Sequence, residues 1–136
     1  MSSRRGSALM EFALAWPVAL LLVLGCVQLA IWATEAFAAR SAALAGARAA
    51  TIAGARPGIA AVVAVRALGP SLPGTAVGAW CPGQGGGAPD VWVCAKEVGV
   101  SVEVTVGGSV SSLVPILPSG LPLRAHVVLP KESFAR

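Results

Sequence analysis

The feature that most constrains this chain is a stretch without charge: between Glu11 and Glu35 lie the 23 residues FALAWPVALLLVLGCVQLAIWAT. Coiled as a helix they would extend roughly 34 Å, enough to cross the ~30 Å hydrocarbon core of a bilayer. Trp16 and Trp32 stand near its two ends, where indole rings favour the boundary between lipid and water. The run is too long for the apolar part of a cleaved signal peptide, usually about 7 to 15 residues. Ala36-Phe37-Ala38 would nevertheless suit a signal peptidase, so a secreted domain starting near residue 39 is a second outcome. Ser3-Arg4-Arg5 is followed by Gly6-Ser7-Ala8 rather than a bulky apolar pair, which argues against a twin-arginine signal.

The remaining sequence allows one small domain. A 136-residue chain that is 56% hydrophobic is too apolar for an ordinary soluble protein. The formal charge of +4 comes from ten basic residues scattered along the chain, with no patch interleaved with aromatics, so no nucleic-acid partner is expected. Residues 35–55 are rich in alanine and free of proline, and the run should continue as one helix until Arg56-Pro57-Gly58 breaks it. Residues 59–68 predict a second, shorter helix. Gly69-Pro70, Pro73-Gly74 and Gly78 then mark a loop.

Beyond it the period changes to two. Residues 91–94 suit a short strand, and Val98, Val100, Val102, Val104 and Val106 predict one face of a half-buried strand that Gly107-Gly108 ends. Residues 109–117 suit an extended segment and residues 123–129 a last strand. Three or four such strands would form a small antiparallel sheet whose apolar face has only the preceding helix to bury it. The fold class expected is α+β: a long N-terminal helix, half transmembrane and half exposed, packed with that sheet.

Ala42, Gly46, Ala50 and Gly54 recur every four residues and would let another backbone approach closely, although an alanine-rich segment also produces such spacing by chance. Cys26 lies within the apolar run, so Cys81 and Cys94 are the pair able to bond. Closing their 14-residue loop would stabilise the fold by about 3 kcal/mol in an oxidising compartment. His126 is the sole histidine and Asp90 the sole aspartate. No nucleophile motif or metal-ligand spacing accompanies them, so no catalytic, cofactor-binding or metal residues and no small-molecule substrate are expected.

The segment Arg4-Arg5-Gly6-Ser7-Ala8-Leu9-Met10-Glu11-Phe12 resembles the processing site of type IV prepilin-like proteins. In that family a membrane aspartyl peptidase cuts after a glycine that follows a short basic leader, and a glutamate stands fifth in the mature chain. The resemblance implies cleavage between Gly6 and Ser7, with Glu11 fifth and Phe12 beside it. It further implies that Glu11 offsets the N-terminal amine of a neighbouring subunit. A carboxylate there also interacts favourably with its own helix N-terminus, and the two readings are compatible. Gly6, Ala8, Glu11, Phe12, Ala13, Leu14 and Pro17 match more narrowly the opening of TadE-like pseudopilins of tight-adherence (Tad) pilus systems. Their last strand commonly ends in a Val-Met-Arg-x-Glu-like pattern, from which Val127-Val128-Leu129-Pro130-Lys131-Glu132 departs.

The expected organisation is a leader at 1–6, a transmembrane helix at 7–34, an extracytoplasmic helical part at 35–68 and a β-rich domain at 69–136. Arg4 and Arg5 place the N-terminus on the cytoplasmic side. The resemblance implies a minor pilin or pseudopilin in a Tad-type apparatus, partnered by the lipid bilayer, a prepilin peptidase, other pilin-like subunits and Tad assembly proteins. The alternative is an unprocessed membrane-anchored accessory domain.

Overall fold

The computed structural model describes residues 3–52, 55–114 and 117–132, with side chains from Leu9 onward. Helix α1 (Ser3–Thr51) is followed by α2 (Pro57–Leu68) and a short 3-10 turn (Gly69–Ser71). Four strands come next: β1 (Val77–Ala79), β2 (Val91–Val98), β3 (Ser101–Ser111) and β4 (Gly120–Pro130). They form one sheet in the order β1-β2-β3-β4. Both helices pack on one face of it, giving the expected α+β arrangement.

Helix α1 is unbroken across 49 residues, with Pro17 inside it. Its two parts differ in what surrounds them. From Leu9 to Leu29, thirteen large apolar side chains are exposed. From Ala39 onward, Ala39, Ala42, Ala43, Ala47 and Ala50 form a buried stripe at helical spacing. That stripe carries almost no side chain, and α2 meets it with Ala60, Ala61 and Ala64. A methyl group built on Gly46 would lie 2.5 Å from the Ala60 carbonyl oxygen and 3.0 Å from the Ala64 Cβ. Helix α2 begins with Pro57, whose missing N–H costs nothing in a first turn.

The sheet supplies the bulk that the helices lack. Val91 and Val93 of β2, Val102, Val104 and Val106 of β3, and Leu123 of β4 are fully buried against the alanine surface. Strand β4 runs alongside α1 in the same direction. The Trp32 indole Nε1–H donates to the Pro122 carbonyl at 3.1 Å, and beyond the far end the Glu132 N–H donates to the Thr51 carbonyl at 3.0 Å. The second bond satisfies one of the carbonyls that a helix C-terminus leaves open. Lys131 pairs with Glu97 at the same end.

Three expectations about the sheet are corrected. The sheet is mixed rather than antiparallel, because β1 pairs parallel to β2 while β2, β3 and β4 pair antiparallel. A parallel pair needs a connection long enough to return the chain to its starting end, and residues 80–90 provide it. Second, the strand predicted over 98–106 is interrupted. Val98 closes β2, Gly99-Val100 forms a two-residue turn, and β3 starts at Ser101. Gly99 has φ +59° and Val100 is not in the positive-φ region, the pattern of a type II′ hairpin turn. Val98 and Val100 are accordingly 56% and 79% exposed. Third, Gly107-Gly108 does not end β3, which continues to Ser111. These glycines clear space: a Cβ on Gly107 would run into the Trp92 ring, and one on Gly108 into the Asp90 carbonyl.

Packing through Gly46 yields a direct test. Gly46→Leu should force α2 off α1 and open the bonds after Arg48, Arg56 and Arg66 to trypsin in detergent-solubilised protein. Gly46→Ala should cost about 1 to 3 kcal/mol. Unchanged protease resistance of the leucine variant would contradict this packing.

Candidate functional site

The residues singled out in the sequence fall into three places. Gly6 and Ser7 lie in the first turns of α1. Glu11 and Phe12 follow on the same helix, and the Phe12 ring stacks on Trp16 with centroids 6.0 Å apart. All three of these side chains are exposed. Ala42, Gly46 and Ala50 lie farther along α1 against α2, so the close approach their spacing permits is used within the chain. Gly54 lies outside the described residues. Cys81 and Cys94 form a disulfide with Cα atoms 4.7 Å apart, tying the segment after β1 to β2. Cys26 is free on the apolar part of α1.

Beside the disulfide, Trp80 and Trp92 meet edge to face with centroids 5.8 Å apart. On the same outer face of the sheet, His126 Nδ1 lies 3.2 Å from Thr105 Oγ1 and 3.5 Å from a Glu103 carboxylate oxygen. The His126 side chain is largely exposed, a poor setting for a general base that needs a shielded substrate. Among the described residues, no group of three or more His, Cys, Asp and Glu side chains could hold a metal ion. The surfaces with a defined arrangement are therefore the apolar helix and the underside of the domain where that helix enters it.

Sequence reasoning passed over this underside. Gln28 is only 2% exposed, although it stands in the apolar run. Its Oε1 accepts a hydrogen bond of 2.7 Å from the Leu113 N–H, in the loop between β3 and β4. One turn farther along, Trp32 binds the Pro122 carbonyl as described, so its indole is committed to the domain rather than only to the membrane boundary. The signal available in the sequence was Gln28 itself, an amide whose presence in an apolar helix calls for a partner. That partner lies 85 residues away and could not be named from spacing.

Farther along the helix, Glu35 is partly buried, and its Oε2 has no hydrogen-bond partner among the described residues. Desolvation raises the Glu35 carboxyl above its ordinary range. The native state then holds this proton more tightly than the unfolded chain does. The stabilisation from the protonated form is complete below the unfolded pKa and is lost as pH rises through the native value. Glu35→Gln should therefore reduce the fall in thermal midpoint between acid and neutral pH, read from protease resistance in detergent. Equal falls in variant and native protein would contradict the assignment.

Residues 6–48 match a protein family described as TadE-like protein. No curated protein and no solved structure matches the chain. The matched segment runs from Gly6, next to Arg4-Arg5, through Glu11 and the apolar run into the alanine stripe. Among the described residues, one helix, near the N-terminus, is long and apolar enough to cross a membrane. Together the match over residues 6–48 and this helix fit a pilus-related membrane protein of the TadE-like kind.

Proposed function

We propose that this protein is a TadE-like minor pilin or pseudopilin, a structural component of a Tad-type pilus or secretion apparatus held in the membrane by α1. The observation that carries the reading is that the TadE-like segment and the domain share one helix. Residues 6–48 start in its apolar part and end inside the domain core. Thirteen large apolar side chains standing in water would cost on the order of 20 kcal/mol, more than the typical net stability of a domain. A lipid bilayer or other apolar helices must therefore cover them.

In this reading Arg4 and Arg5 hold the N-terminus on the cytoplasmic side, and the sheet domain lies across the membrane in a compartment oxidising enough to keep Cys81 and Cys94 joined. A prepilin peptidase cuts between Gly6 and Ser7. Glycine eases the local unwinding this requires, since it is the weakest helix former after proline. Glu11 and Phe12 are then available to pilin-like partner subunits. The domain already encloses Gln28 and contacts Trp32, so the full cover of lipid ends near Gln28, before the end of the uncharged run.

The alternative, an unprocessed membrane-anchored accessory domain, gains from one observation. The small-residue face on α1 is filled by α2 and is not free to receive another subunit. Mass spectrometry of the membrane-extracted protein separates the two readings. Processing predicts a mature N-terminus at Ser7 that disappears in Gly6→Ala. An intact start at Met1 or Ser2 in the native protein would remove the pilin assignment and leave the anchor.

A further inference from the structure

Under the domain, the chain between β3 and β4 has an unusual composition for a loop. Residues 112–119, SLVPILPS, and the first four residues of β4 that follow them contain no charge. Leu113 is 67% exposed and Leu117 39% exposed, while Val114 turns inward and is buried. Between this loop and α1 runs a groove of about 350 Å³, lined by Gly25, Leu29 and Trp32 on one side and Leu117 and Leu121 on the other. Exposed Val18 and Leu22, on the same side of α1 as Gly25 and Leu29, continue its apolar surface down the helix.

Backbone chemistry in the loop also suits lipid. Polar backbone groups facing hydrocarbon must be satisfied internally, and three of the loop's described N–H groups are. The Leu113 N–H donates to Gln28 Oε1, the Val114 N–H to Ser112 Oγ at 3.3 Å, and the Leu117 N–H to the Val114 carbonyl at 3.0 Å. Pro118 and Pro122 carry no N–H. The depth agrees as well. Residues 12–27, the uncharged residues before Gln28, span about 24 Å as α-helix, less than the ~30 Å hydrocarbon thickness, which places Gln28 and the loop bonded to it in the far side of the core.

We propose that the described residues of the β3–β4 loop make a second membrane contact, in which Leu113 and Leu117 enter the leaflet next to the domain and the groove beside Trp32 takes a lipid acyl chain. This rests on the reading of α1 as a membrane-spanning helix. The hydrogen bond from Leu113 to Gln28 fixes how deep the loop sits relative to α1.

The test uses full-length protein carrying Cys26→Ala, reconstituted in vesicles of phosphatidylethanolamine and phosphatidylglycerol. A single environment-sensitive NBD label is placed through Leu113→Cys, Leu22→Cys or Val100→Cys. Leu22 reports the span and Val100 the hairpin tip at the opposite end of the domain. Lipids bearing a doxyl quencher on the acyl chain should quench the labels at 113 and 22 to a similar extent, with blue-shifted emission, and leave the label at 100 unaffected. A label at 113 that behaves like the one at 100, while 22 is quenched, overturns the proposal and leaves the span intact. Lack of quenching at 22 and 113 alike defeats the spanning reading and the proposal with it. Blue-shifted emission at 113 that resists lipid quenching and turns water-like as protein is diluted in lipid would assign the surface to a second copy of the chain and overturn the lipid proposal.

Discussion

The architecture depends on how closely the backbones of α1 and α2 approach at Gly46. Alanine and glycine contribute little apolar area, so two such helices gain stability mainly through dispersion at short range and through the surface they jointly offer to the valines of β2 and β3. Without α2 against it, the stripe from Ala39 to Ala50 would be too flat to cover that valine face. Without the sheet, the helix pair would have no bulky partner. The domain thus has one core made from three sources, and α1 belongs to it as fully as any strand.

This shared helix explains the position of the polar groups on the underside. A helix leaving a bilayer and entering a protein core passes through a zone where water is scarce and hydrocarbon is no longer uniform. In the proposed membrane-anchored arrangement Gln28 and Trp32 stand in that zone, and each makes a bond to the β3–β4 region, one to an N–H and one to a carbonyl. Both bonds join the helix to backbone rather than to side chains. They hold the base of the domain irrespective of the side chains carried there.

Much of this organisation was legible in the sequence because it depends on local periodicity. The apolar run, the alanine segment that continues it, α2 after Pro57 and the last strand all leave such a pattern. The hairpin at Gly99 did not. Val98 and Val100 preserve the spacing of Val102, Val104 and Val106, so alternation runs straight through a two-residue turn and only a single glycine marks it. Gly107-Gly108 misled for the opposite reason. Glycine pairs usually stop strands, but here they accommodate an indole from the neighbouring strand, and that need is visible only once Trp92 is placed opposite Gly107. The site followed the same division. The cysteine pairing could be found by elimination, whereas the occupant of the small-residue face and the partner of Gln28 are tertiary facts.

An unbroken helix also fixes an angle. At about 100° per residue, the 17 positions separating Glu11 from Gln28 leave the two side chains about a quarter-turn apart around the helix axis. Gln28 marks the side on which the domain hangs, so the carboxylate projects from the flank of the molecule rather than beneath its bulk. A neighbour approaching Glu11 would therefore stand beside the domain rather than under it.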